Sequence, residues 1–462
     1  MIGTCLAALA CAGAVADARA AATQELTIPM SDGTQLACAL VEPDGAPPSG
    51  GWPAVMLFHG LGGRHQDMEP IATGALASAG YAALMCDARG HGASGGLFGL
   101  DGPRDVQDTK ELFQWLTARP EISDTEIGAF GISLGGGAVW EAAAAGVPFK
   151  AIVPVITWTN LTSALAPQGL SKSGLVQLLA GLVPQARWDP TLLAAVPALT
   201  TSSDIAAVST LAAQRSPLAA LTSLTVPTLL IQGRHDFLFD IDQALAAYGK
   251  LRGPKALYLG DLGHAPAPSP AAEQPTYLGE AVAWLDRYVK GLTTAPKVPA
   301  VAIAHDPWDG TTTAYTSLPA RRTVSVALPG PSAMRSGGKV VRSVRLPGGP
   351  FETFGDSTIT VPYSNASGWD RLVAVLTMSG SSTPVTAGGV KLSGVSGTAT
   401  IRLMDEAVKI PRGAKLTITL GATSVVQSPA DALYLDDVQP GSSITLGRAT
   451  LRLSVLEKPV SR

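Results

Sequence analysis

Three features of the sequence predict an α/β domain carrying an inserted helical cap, followed by an all-β domain. From residue 25 to about 292, short apolar runs alternate with longer stretches of helical periodicity. Residues 160–222 interrupt that alternation and are too long for a single crossover. After Gly291 the composition shifts to Thr, Val, Ser and Gly. Strand–helix alternation specifies a mainly parallel sheet covered on both faces. Many short strands separated by frequent turn signals specify a β-sandwich or jelly roll.

Composition narrows the choice. The chain has 462 residues, a net charge of −3 and 15% charged residues, with a mean hydropathy of +0.24. The length predicts two domains or three. An apolar content of 46% is ample for a core, which excludes intrinsic disorder. No Lys/Arg cluster is visible, so neither a nucleic-acid groove nor an anionic membrane surface is expected as partner. A spanning helix needs roughly 18 consecutive apolar residues, and the longest run, 5–16, stops at Asp17.

The first 20 residues hold a short apolar stretch and then Ala18-Arg19-Ala20. This fits a signal peptide cleaved near Ala20, with export to the periplasm, cell envelope or medium. Cys5 and Cys11 would leave with it. Cys38 and Cys86 each sit in an apolar strand-like run and are expected as small core residues rather than as a bridge. Neither has a partner at zinc-ligand spacing, and no metal or cofactor is expected.

Strands are predicted at 25–29, 35–41, 54–58, 82–86, 126–130, 151–155, 228–232 and 256–259, the first two joined by a Ser-Asp-Gly-Thr turn. Helical patterns lie near 66–79, 104–118, 134–146, 240–252 and 273–290. Within 160–222 the apolar stretches 175–183 and 203–213 are broken by Pro184, Pro190, Pro197 and Pro217, which reads as a cap over the C-terminal edge of the sheet. The catalytic domain is expected to span 21–292. A linker, Thr293-Thr294-Ala295-Pro296, leads to a β-domain at 297–462, with strands near 323–328, 339–345, 357–361, 370–378, 399–404, 415–420 and 443–456.

Four signals fall on loops that follow strands. Gly131-Ile132-Ser133-Leu134-Gly135-Gly136 has a strand before it and an Ala-rich helix after it. This G-x-S-x-G pattern makes a turn so tight that only glycine leaves room on either side of the serine. The strand 228–232 ends in Gly233-Arg234-His235-Asp236, where a triad carboxylate is held rigidly to orient an imidazole. Asp240 and Asp242 are alternatives better suited to opening the next helix. His264 follows the last strand and completes the order Ser, Asp, His, with His235 as rival base. His59-Gly60-Leu61, after the strand 54–58, offers a backbone amide beside that of Leu134 as an oxyanion hole. His59 and Trp158 are candidate substrate-binding residues. Asp87-Ala-Arg89-Gly90-His91-Gly92-Ala-Ser94 reads as an architectural loop.

Together the H-G-x loop, D-x-R-G-H-G-x-S, G-x-S-x-G-G, G-x-x-D and G-H form the α/β-hydrolase pattern. With a cap before the acid and a β-rich C-terminal domain, the chain resembles the cocaine-esterase and X-prolyl dipeptidyl-peptidase family (CocE/NonD). The segments 152–161 and 404–420 resemble the start of that family's cap and the late strands of its jelly roll. The resemblance implies an α/β-hydrolase domain, a helical cap and a jelly roll beside the active site. Esterases of the family commonly take an oxyanion donor from a tyrosine in an R-x-P-Y loop. Here that loop is Phe58-His59-Gly60-Leu61, and Leu134 stands where Tyr is frequent, so two backbone amides are expected instead. Both departures, and the absence of an identifiable carboxylate pair for a substrate amino terminus, point away from dipeptidyl-peptidase activity.

The expected function is a secreted serine hydrolase acting on small-molecule or polymeric carboxylic esters, or amides, through Ser133, His264 and Asp236. The alternatives are an X-prolyl dipeptidyl-peptidase, and a carbohydrate- or wall-binding protein with a vestigial hydrolase domain. For the last, Trp308, Tyr363 and Trp369 are candidate sugar-stacking residues. The sequence does not specify the oligomeric state.

Overall fold

The computed structural model describes residues 22–265, 267–381, 384–424 and 433–460. The predicted leader 1–20, with Cys5 and Cys11, lies outside the described residues.

The first sheet has ten strands in the order β1 (Ala22–Pro29), β2 (Gln35–Glu42), β4 (Ala82–Cys86), β3 (Trp52–Phe58), β5 (Ile122–Ile132), β6 (Ala151–Val155), β7 (Thr228–Gly233), β8 (Lys255–Gly260), β9 (Val301–Ala304) and β10 (Thr312–Tyr315). Neighbours from β4 to β9 run parallel. The first two strands and β10 pair antiparallel at the edges. The continuous apolar runs are explained by burial on both faces. In β3, Ala54 and Met56 join Leu112 of α1 (Pro103–Thr117) and Trp140 of α2 (Leu134–Ala144). Val55 and Leu57 point the other way, toward Trp284 and Leu285 of α8 (Gln274–Tyr288). This period-two division is the pleat at work.

The cap comprises α3 (Leu161–Leu165), α4 (Ser173–Ala180), α5 (Pro190–Thr200) and α6 (Ile205–Ala213). Its prolines are punctuation: Pro190 starts α5, where no amide is needed, and Asp189 caps that helix through the Thr191 N–H at 2.8 Å. The crossover back to the sheet ends in β7, and α7 (Ile241–Lys250) follows it.

Two expectations are corrected. The sheets do not divide at 292/297, because β9 and β10 belong to the first sheet. Val301–Ala304 is a wholly buried apolar run whose backbone is paired between β8 and β10. Cys38 and Cys86 are bridged rather than free. They are directly opposite each other on β2 and β4, a pairing created by sheet order and invisible in a spacing of 48 residues.

The C-terminal part is a sandwich of two antiparallel sheets with a small two-stranded ribbon. One sheet has the path β11 (Arg321–Leu328), β22 (Ala449–Leu456), β15 (Ser357–Ser367), β21 (Ser443–Leu446), β12 (Ser332–Arg335), with β18 (Gly397–Leu403) also on β15. The other is β13 (Val340–Arg345), β20 (Lys415–Gly421), β16 (Arg371–Met378), β17 (Pro384–Lys391). Ile359, Val361 and Leu451 face Leu372, Ala374 and Ile418 in its core. The other face of β16, Val373 and Val375, is covered by Leu170 of the cap. The predicted strand at 443–456 is two strands, and β17 went unpredicted because Pro384, Gly388 and Gly389 dilute its pattern. No helix among the described residues is long and apolar enough to cross a membrane.

Candidate active site

Ser133 follows β5 and caps α2 with φ 56° and ψ −115°, a positive-φ geometry that L side chains rarely adopt. Its hydroxyl makes no helix-capping bond. The turn is possible because of its glycines. A Cβ on Gly131 would stand 2.0 Å from the Gly135 carbonyl oxygen, and one on Gly135 would stand 2.1 Å from the Phe58 carbonyl oxygen. The second clash also shows how closely α2 abuts the end of β3.

The structure brings Ser133, His264 and Asp236 together. His264 Nδ1–H donates to Asp236 Oδ2 at 2.8 Å, and Nε2 accepts from the Ser133 hydroxyl at 2.8 Å. Asp236 is fully buried. Its other oxygen accepts the Leu238 and Phe239 N–H groups at 3.0 and 3.1 Å, so both of its oxygens are committed and its orientation is set. Phe239 meets the His264 ring edge-on with centroids 5.3 Å apart. Asp240 and Asp242, the alternative acids, open α7. Burial pushes both carboxyls upward, that of Asp242 to about 9. His235, the alternative base, faces Asp261 and Asp306 instead.

The acid loop is clamped from outside its own domain. The Arg234 guanidinium is fully buried and pairs with Glu352 of the β-domain. The Arg234 carbonyl accepts the Ala407 N–H at 2.9 Å, and the Asp405 carbonyl accepts the Ile241 N–H at 3.1 Å. From the cap, Lys172 Nζ donates to the Phe237 and Leu238 carbonyls at 3.0 and 3.2 Å. None of these partners carries a local sequence signal.

Leu134 is the first residue of α2, so its N–H has no partner within the helix. The His59-Gly60-Leu61 loop comes within reach, since a Cβ on Gly60 would lie 3.7 Å from Ser133 Cβ. His59 is buried: Nδ1–H donates to the Gly60 carbonyl at 2.7 Å and Nε2 accepts the Ala88 N–H at 2.9 Å. Burial lowers its pKa, which favours the neutral ring. Both nitrogens are therefore spent on loop geometry. Trp158 is held in the same way. It is buried, donates its indole N–H to the Arg215 carbonyl at 2.7 Å and packs on Phe239. Asp87 and Arg89 hold their loop. Asp87 accepts from the His65 backbone and ring and from the Ala93 N–H, each at 2.7 Å, and Arg89 grips Asp108 with two bonds of 2.7 and 2.8 Å.

Beyond Leu61 the cap and two neighbouring loops line a partly open, almost wholly apolar cavity of about 100 Å³. Leu61, Phe98, Leu161, Val176, Trp188 and Val208 line it. These residues come from the loop after β3, the loop after β4 and four parts of the cap, so no sequence window contains them. Trp308, between β9 and β10 of the first sheet, is half-buried, and in the β-domain Trp369 and Tyr363 are buried. Trp369 donates to the Arg371 carbonyl and Tyr363 to the Ser393 carbonyl, both at 2.7 Å, which makes them packing groups rather than sugar platforms.

Comparison with known proteins agrees with this architecture. The model of the X-Pro dipeptidyl-peptidase (S15) family matches residues 32–266. A CocE/NonD family hydrolase from Staphylococcus aureus superposes with a TM-score of 0.71 at 14% identity, over 94% of each chain. An α-amino acid ester hydrolase gives a TM-score of 0.68 at 14% identity, over 96% of this chain and 98% of that one. An aminopeptidase from a marine-sediment Thaumarchaeota archaeon gives 0.68 at 14% identity, over 95% and 97%. In sequence, a 31.7 kDa Escherichia coli protein from the traX–finO intergenic region is 33% identical over 109 residues, which is 23% of this chain and 38% of that protein's length.

Proposed function

The chain belongs to the X-Pro dipeptidyl-peptidase (S15) family, and from that premise we propose that it is an exported serine carboxylesterase for small esters with an apolar acyl or alcohol group. The observation that carries the reading is the Ser133–His264–Asp236 chain of hydrogen bonds beside the cap cavity.

In this mechanism Ser133 Oγ attacks the acyl carbon as His264 Nε2 takes its proton. Asp236 fixes the tautomer and balances the imidazolium. The Leu61 and Leu134 amides hold the oxyanion, each donor contributing roughly 10²–10³ in rate. His264 returns the proton to the leaving alcohol, and the acyl–Ser133 ester remains. Water then attacks that ester with His264 as base, releasing the acid and the serine hydroxyl. The apolar cavity beside Leu61 supports a small apolar group. The Cys38–Cys86 bridge supports export, since such bridges persist in oxidising compartments.

The test is Ser133→Ala on p-nitrophenyl butyrate, with fluorophosphonate labelling of both forms. The wild type turns over and labels, and the variant does neither; residual turnover above ~10⁻³ of wild type would falsify the nucleophile assignment. The family match favours a second reading, X-Pro dipeptidyl-peptidase activity. Release of a chromophore from Ala-Pro or Gly-Pro conjugates, abolished by blocking the substrate amino group, would establish it.

A further inference from the structure

Behind the catalytic acid and base lies a second cluster that the esterase mechanism does not use. His235 precedes Asp236, Asp261 lies three residues before His264 at the end of β8, and Asp306 follows β9. The topology of the sheet brings these three strand ends together. One ligand atom from each residue falls within 4.8 Å of the other two. His235 Nε2 stands 3.6 Å from Asp261 Oδ1 and 3.4 Å from Asp306 Oδ2.

Asp261 is the informative member. It is 2% exposed. Its Oδ2 accepts the Trp308 N–H at 2.8 Å, and its backbone N–H donates to Glu273 Oε1 at 3.1 Å. Its Oδ1 is buried and has no hydrogen-bond partner among the described residues. A buried carboxylate oxygen without a partner is costly, and this one points at the imidazole from beyond hydrogen-bonding distance. Arg234, a fixed cation that acts on this carboxylate, is itself paired with Glu352. Tetrahedral bonds of about 2.0–2.1 Å place neighbouring ligand atoms about 3.3–3.4 Å apart. Two of the three edges are close to that spacing before any ion draws them in.

We propose that His235, Asp261 and Asp306 form a structural site for one divalent cation of the zinc type, completed by water. A neutral imidazole with two carboxylates suits zinc, and the nitrogen ligand disfavours calcium and magnesium, which prefer all-oxygen shells. The two carboxylate charges balance the ion. Bound there, it ties the strand ends carrying Asp236 and His264 to the segment after β9. This is a role in holding the catalytic loops, separate from the esterase step.

The experiment uses the full-length protein stripped with EDTA and dialysed, then titrated with zinc chloride. Bound metal is measured by mass spectrometry and thermal stability by scanning calorimetry. One zinc per chain and a Tm rise of several degrees are expected. Asp306→Asn and His235→Gln, each confirmed folded by circular dichroism, should weaken zinc binding more than about tenfold, since even outer-shell changes cost 10–100-fold. Absence of saturable zinc binding overturns the site. So does undiminished binding in both variants, which would place the ion elsewhere. Equal stabilisation by calcium overturns the assignment of the ion. Because the readouts are stoichiometry and Tm, they stand whether or not the esterase reading holds.

Discussion

Nε2 of His264 lies 2.8 Å from Oγ of Ser133, although 131 residues separate them in the chain. The hydrogen bond is held from behind by Asp236, whose second oxygen is locked by two backbone amides. The three side chains are joined in one hydrogen-bonded line, and this makes the proposed role of each member testable.

Asp236→Asn replaces an acceptor with an amide that can donate, so His264 adopts the wrong tautomer. Turnover of p-nitrophenyl butyrate should fall by about 10⁴ while the fold is kept. Steady-state kinetics with a circular dichroism control measures it.

Gly135→Ala places a methyl carbon 2.1 Å from the Phe58 carbonyl oxygen and 2.8 Å from that of His59. Either α2 or the His59 loop must move, separating the Leu61 and Leu134 amides. We expect kcat to fall by about 10²-fold or more, as misplacement of about 1 Å costs that much, together with a lower Tm.

Val208→Phe fills part of the cap cavity. Activity on p-nitrophenyl acetate should persist, while kcat/KM on the octanoate falls by at least about tenfold, the lower range for steric discrimination in an apolar pocket. Parallel losses on both esters would place the acyl group elsewhere.

Replacing Cys38 and Cys86 together by Ala removes a link across 48 residues of chain. Loop entropy puts the loss at about 4 kcal/mol. Denaturant unfolding should show it, and a reductant should lower the Tm of the wild type but not of the double variant.

Glu141, on α2, is pushed up to about 7 by burial, and its Oε1 has no hydrogen-bond partner among the described residues. Its folded pKa exceeds its unfolded one, so its contribution is fully present below about pH 4.5 and is lost as pH rises through about 7. Glu141→Gln should therefore gain stability relative to wild type at pH 8 and not at pH 4. Tm against pH for the two proteins checks the sign.

The elbow at Ser133 was legible because its requirement is local: a strand, a turn that only glycine permits, and a helix. Asp236 and His264 were legible as strand-end positions in a fixed order. The partners of His59 and Trp158 were not legible, because a motif says where a residue is and not which way its polar atoms face. Both of their side chains are consumed by carbonyls and amides that only folding supplies. Strand β17 was missed because its glycines serve close approach: a Cβ on Gly388 would meet the Arg402 carbonyl oxygen at 2.2 Å.

By itself the sequence determined the order of strands and helices, the cap, the change to an all-β region and the strand–turn–helix elbow that carries Ser133, since periodicity and turn chemistry act over a few residues. The tertiary structure alone decided the Cys38–Cys86 bridge, the extension of the first sheet through β10, the apolar cavity beside Leu61 and the Arg234–Glu352 clamp on the acid loop. Each of these joins residues far apart in the chain. The free energy that forms them comes from burying and pairing groups whose neighbours are chosen by sheet order, and no local pattern records that choice.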